Sequence, residues 1–307
     1  MSFQARRVNN FNLYASHAWY VPGVKGMFAL LLWFLVGSLI GIFLEMLFML
    51  FVPMNVVNMY GMLIVYPVSF IPAMMYAARK SRNNSLFETG YKLSSSNFGK
   101  YSWWFIGIIT ILATLGTMIT SDLPNWWNYK LTTSIPWLER MYNSFTAIMN
   151  SMTGGPFWSS FLLVAIFAPI FEEWLCRGMV LRGLLTKMRP AWAIIISALF
   201  FALIHMNPWQ ALNAFIIGVV MGFVYYKTGC LWLTMLMHFV NNGLAVVLSQ
   251  FSSLSDTDFW IQILSPGAYA AAYIIGVIVL VACLLVFNRI PLKQERGNID
   301  EVVLKVD

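Results

Sequence analysis

Charge is what this sequence has least of. Only 10% of its 307 residues are Asp, Glu, Lys or Arg, against roughly 25% in soluble domains. That leaves too little polar surface to cover a water-facing globule and excludes an ordinary soluble fold. Acidic residues are the scarcer sign, 12 against 19 basic ones, for a net charge of +7. Such an excess can mark a nucleic-acid binder, but here the bases fall in short segments between apolar runs, not along one face. They read as membrane-protein loops, and no nucleic-acid partner is expected. The three cysteines, Cys176, Cys230 and Cys283, lie in or beside apolar runs without metal-type spacing. They imply neither a disulfide framework nor a zinc knuckle. Histidine also occurs only three times.

What is abundant is apolar length. Sixty per cent of residues are hydrophobic and the mean hydropathy is +0.72. Apolar runs stand at about 27–52, 55–78, 102–120, 157–186, 191–206, 209–226, 231–249 and 268–288, which predicts an all-α, polytopic membrane bundle of about eight transmembrane helices. The first run exceeds a signal-peptide core of roughly 7–15 residues and reads as a retained helix. Between 120 and Pro156, Trp126, Trp127, Trp137 and Tyr142 suit an interfacial loop or short surface helix. The chain reads as one membrane domain over 1–307, with polar tails at 1–25 and 289–307. Placing both termini in the cytoplasm puts Arg82, Lys92, Lys187, Arg189, Lys227, Arg289 and Lys293 inside, and only Lys130 and Arg140 outside. The expected location is the plasma (inner) membrane.

Three apolar runs carry polar side chains that lipid disfavours. Glu172, Glu173 and Arg177 sit in the fourth, His205 in the fifth, and His238 and Asn242 in the seventh. One charge at the centre of a spanning helix costs about 2.5–3.5 kcal/mol, so three within six residues require compensation. Glu173 and Arg177 are four apart with Glu N-terminal, the better orientation for an ion pair. Glu172, turned about 100° away, is then the unpaired carboxylate. Pro169 just before it makes the backbone irregular, which at membrane depth is tolerated beside protein or a water-filled cavity. Phe201 and His205 share a face, and Asn207–Pro208 disfavours helix, so His205 belongs to a last turn near a chain reversal. His238 and Asn242 face one way; Asn241 points elsewhere. Glu45, in the first run, is a separate intramembrane carboxylate without an assigned role.

A carboxylate base, two imidazoles and an amide are the minimum set for hydrolysing an amide without a covalent intermediate. Glu172, His205 and His238 also form a zinc-type set with an open position. Both readings stand, a metal-free glutamate mechanism and a metal site. No HExxH occurs, which removes the commonest zinc-protease signature. Cys176 has no spacing to a base that would make it a nucleophile.

Glu172-Glu173-x-x-x-Arg177, Phe201-x-x-x-His205 and His238-x-x-x-Asn242 resemble, in order and kind, the three motifs of the CPBP family of intramembrane proteases. These are the CAAX prenyl protease and bacteriocin-processing enzymes, also called the Abi family. The text AFIIGVVMGFVYYKTGCLWLTMLMHFVNN is similar to the family's stretch between its second and third motifs, and the resemblance spans about 157–250. It implies an intramembrane endopeptidase acting on membrane-embedded or lipidated peptides or proteins. Glu172 would activate water with His205 assisting, and His238 and Asn242 would stabilise the oxyanion or ligate a metal. Glu173 and Arg177 would hold the geometry. The main rival is a proton-coupled secondary transporter, since intramembrane Glu, His and Arg near a Pro-broken helix also describe a proton relay. Against it, the sequence shows no internal repeat. A non-catalytic membrane scaffold or immunity protein is the third reading, and it has no need of His238 and Asn242 together.

Overall fold

The computed structural model describes residues 20–80, 98–153, 156–250 and 259–291. Among these the chain is helical without strands. In chain order the helices are α1 (Val24–Phe51), α2 (Met54–Lys80), α3 (Trp103–Thr133), α4 (Pro136–Thr153), α5 (Phe157–Leu185), α6 (Pro190–Ile204), α7 (Pro208–Thr228), α8 (Leu231–Leu248), α9 (Trp260–Ile263) and α10 (Pro266–Asn288). Seven segments among the described residues are long and apolar enough to cross a membrane, and α6, at 15 residues, is the short apolar helix beside them. The eight expected runs all appear as helices, but one of them is shorter than a bilayer requires.

The predicted end of the third run, near 120, falls well short. α3 continues to Thr133 through Asp122 and Pro124, residues that in isolation signal a stop. Asp122 is satisfied by tertiary contacts: its carboxylate accepts from the Trp260 and Ile261 backbone N–H groups at 2.8 and 3.2 Å and from the Tyr269 hydroxyl at 3.0 Å. A buried carboxylate with three donors costs little to keep in a helix. Trp126 and Trp127 therefore sit on α3. Trp137 and Tyr142 sit on α4, which is largely exposed over 136–144.

α5 is the centre of the bundle: 56% of its most apolar window is buried, against 17% for α10. It is not a uniform α-helix. Leu162–Phe167 and Trp174–Leu181 are π-helical, flanking the α-helical Ala168–Glu173. In the first π segment the Ala168 N–H bonds the Leu163 carbonyl five residues back, so the next bond in that register would need an N–H on Pro169, which has none. Wide turns of this kind free carbonyls and turn side chains out of α register.

Both described chain ends lie at the same end of the bundle. Arg182 donates to the Tyr20 carbonyl at 3.1 Å, Lys187 covers Gly23, and Pro291 covers Gly99. At the opposite end Asn125 donates to Asn213 at 3.0 Å, which sets α3 antiparallel to α7 and brings Lys227 to the first end. Gly222 near the close of α7 meets Leu181 near the close of α5. Lys25, Arg79, Lys80, Lys100, Arg182, Lys187, Arg189, Lys227 and Arg289 all fall at this end, with Lys130 and Arg140 at the other. Arg82, Lys92 and Lys293, expected on the cytoplasmic side, lie outside the described residues, as do most of the two polar tails.

Candidate functional site

Three helices converge where the polar motifs predicted. α5 supplies Glu172, Glu173 and Arg177, the C-cap of α6 is His205, and α8 supplies His238. Glu172 Oε2 stands 3.8 Å from His205 Nε2 and 3.9 Å from His238 Nε2. It is buried and accepts no hydrogen bond among the described residues. The separation is too long for a direct bond and suits one small bridging molecule.

The imidazoles are oriented from behind. His205 Nδ1 lies 2.7 Å from the Phe201 carbonyl, one turn earlier on α6, and His238 Nδ1 lies 3.1 Å from Glu173 Oε1. A carbonyl and an ion-paired carboxylate can only accept, so each Nδ1 carries the donated hydrogen. In the neutral rings this leaves both Nε2 lone pairs facing Glu172 Oε2. The turn that presents His205 uses a left-handed residue, Met206 at φ 48°. It is closed by Asn207, whose side chain caps α7 at the Trp209 N–H.

Glu173 and Arg177 form the fully buried pair the spacing predicted, Nη1 to Oε1 at 2.5 Å. Arg177 also donates from Nη2 to the Gly218 carbonyl on α7 at 3.1 Å, and its guanidinium lies 4.4 Å from the centroid of the Phe201 ring. Gly218 is small for a reason: a Cβ there would sit 3.1 Å from that of Ala198. Phe201 meets His205 and His238 edge-on, at centroid distances of 4.8 and 5.6 Å. One aromatic ring therefore spaces the arginine and both histidines. Ser197 ties α6 to α5 by donating to the Cys176 carbonyl at 2.9 Å, and the Cys176 thiol is fully buried.

Asn242 is on the right helix face but is already engaged. Its Nδ2 donates to the Val164 carbonyl at 2.9 Å, and its Oδ1 accepts from Asn241 at 2.9 Å. Val164 is the π-segment residue whose carbonyl would accept from Pro169, five residues on, so Asn242 supplies the hydrogen that proline lacks. One amide hydrogen remains for other use.

Tyr66, on α2, is the residue sequence reasoning missed. Its hydroxyl donates to Glu172 Oε1. The only sequence signal was a phenol in the helix, where Tyr60 and Tyr76 are others, and that is too common to single out. Glu45 faces Gly61 across the α1–α2 contact.

For a metal, Glu172, His205 and His238 offer donor chemistry of the zinc type, with the carboxylate oxygen 3.8 and 3.9 Å from the two imidazole nitrogens. Among the described residues no three His, Cys, Asp or Glu side chains form a group that could hold a metal ion.

Residues 154–244 match the Rce1-like family model, described as "Type II CAAX prenyl endopeptidase Rce1-like". The matched stretch contains all three motifs and supports the CAAX-protease family that they resemble, a family of proteases. No curated protein and no solved structure matches the chain.

Proposed function

We infer that a chain carrying this type II CAAX endopeptidase segment is an intramembrane endopeptidase with Glu172 as the base that activates water. One observation carries the reading: a buried carboxylate oxygen without a hydrogen bond among the described residues, held 3.8 and 3.9 Å from two oriented imidazoles. A water set among these atoms gives a proton to Glu172 Oε2 while its oxygen attacks the peptide carbonyl carbon. The carbonyl π pair moves onto oxygen, forming the tetrahedral oxyanion. Collapse breaks the C–N bond, and the proton on Glu172 passes to the leaving nitrogen, so that water has added across the amide.

His205, whose side chain is 22% exposed against 5% for His238, stands on the open side and orients the water. His238, when it carries a proton on Nε2, donates to the oxyanion, with Glu173 holding its Nδ1–H. The free amide hydrogen of Asn242 is the second candidate donor. Substrates of this reading are membrane-embedded or lipidated peptides. The basic end of the bundle is the cytoplasmic one, by the excess of Lys and Arg there, in the plasma (inner) membrane of the cell.

The test is cleavage by purified protein of a quenched peptide ending in a prenylated Cys-aliphatic-aliphatic-X sequence, beside an unprenylated membrane-peptide library. The comparison is wild type against Glu172→Gln, each with and without a strong chelator. The expected result is a loss of at least about 100-fold in the variant and no effect of chelator on wild type. Wild-type activity in Glu172→Gln refutes the assignment. Chelator-sensitive activity replaces it with a metal held by Glu172, His205 and His238.

A further inference from the structure

We propose that Tyr66 is a positioning residue for the hydrolysis, fixing which oxygen of Glu172 acts as the base. The inference rests on the glutamate reading above. It concerns a side chain 106 residues away in sequence and outside the 154–244 stretch that matches the family.

A carboxylate has two equivalent oxygens and a soft terminal torsion, so nothing in Glu172 itself decides which oxygen meets the imidazoles. The Tyr66 hydroxyl makes them inequivalent. It donates to Oε1, and Oε2 is left facing His205 and His238. The phenol is itself held in register. Its ring packs on Phe70 at 5.4 Å, and Phe70, 1% exposed, stacks on Phe171 at 5.4 Å and meets Phe34 at 4.9 Å. Phe171 is the residue before Glu172, so one aromatic contact aligns α2 with α5 a single position from the carboxylate. Behind it α1 and α2 approach so closely at Gly37 that a Cβ would fall 2.1 Å from the Ser69 carbonyl oxygen. The hydroxyl is thus supported from two helices, as a preorganised group needs to be.

The experiment is Tyr66→Phe, which keeps the ring and deletes only the donor, assayed with the same prenylated quenched peptide beside wild type and Glu172→Gln. The expected result is a fall in kcat of about 10–100-fold with KM within about twofold. A side chain serving stability alone would move the melting temperature and leave kcat per folded molecule unchanged. Wild-type kcat in Tyr66→Phe overturns the proposal and leaves the glutamate reading intact, provided Glu172→Gln is dead in the same assay. An active Glu172→Gln overturns both. Should Tyr66→Phe fail to fold, the infrared difference between wild type and Glu172→Gln serves instead. A tyrosine C–O band in that difference supports the contact, and its absence overturns the proposal.

Discussion

Removing the arginine of the buried pair is the perturbation that tests most of the geometry at once. Arg177 and Glu173 are both fully buried, and the guanidinium also reaches the Gly218 carbonyl and the Phe201 face. In Arg177→Met the volume is roughly kept, but Glu173 becomes an uncompensated buried charge. Breaking one side of such a pair costs about 3–5 kcal/mol, or more than about 100-fold in the folding equilibrium. The cost comes chiefly from the stranded carboxylate, so neutralising it should recover much of the loss. Glu173→Gln is the right second change because its Oε1 still accepts from His238 Nδ1. The double variant Glu173→Gln/Arg177→Met should therefore be more stable than Arg177→Met alone by at least about 2 kcal/mol. Unfolding in mixed micelles, followed by tryptophan fluorescence against increasing denaturing detergent, measures both. If the double variant is no more stable than Arg177→Met, the pair is not the electrostatic unit described here.

Two further outcomes follow from the backbone. Asn242→Leu leaves the Val164 carbonyl without a donor and should cost about 0.6–2 kcal/mol. Adding Pro169→Ala returns a backbone N–H and should recover at least half of that in the same unfolding assay; strictly additive losses would refute the substitution of amide for proline. Met206 occupies a left-handed conformation and is 64% exposed, so Met206→Gly should raise stability by roughly 0.5–1 kcal/mol. A lower melting temperature would mean that the side chain, not the backbone, holds the His205 turn.

The polar cluster was legible in the sequence because its residues contrast so sharply with their surroundings. Glu172, Glu173, Arg177, His205 and His238 are conspicuous in apolar runs, and four-residue spacing predicts the Glu173–Arg177 pair without coordinates. The chain reversal after His205 was likewise written in Asn207–Pro208. Tyr66 was not legible, since its role depends on α2 docking against α5 and phenols are ordinary in membrane helices. Nor was the partner of Asn242, because the orphan at Val164 exists only in π register. α3 was cut short because Asp122 and Pro124 look like a stop until three donors arrive from residues 260, 261 and 269.

The shortness of α6 bears on the membrane itself. Fifteen helical residues reach about 22 Å, whereas the hydrocarbon layer is about 30 Å thick. With Lys187 and Arg189, at the basic end of the bundle, set among headgroups, a helix of this length would end roughly 8 Å short of the far surface. The lipid around the His205 turn would then have to thin, or water descend to it. Were His205 to act as proposed, activity would depend on bilayer thickness.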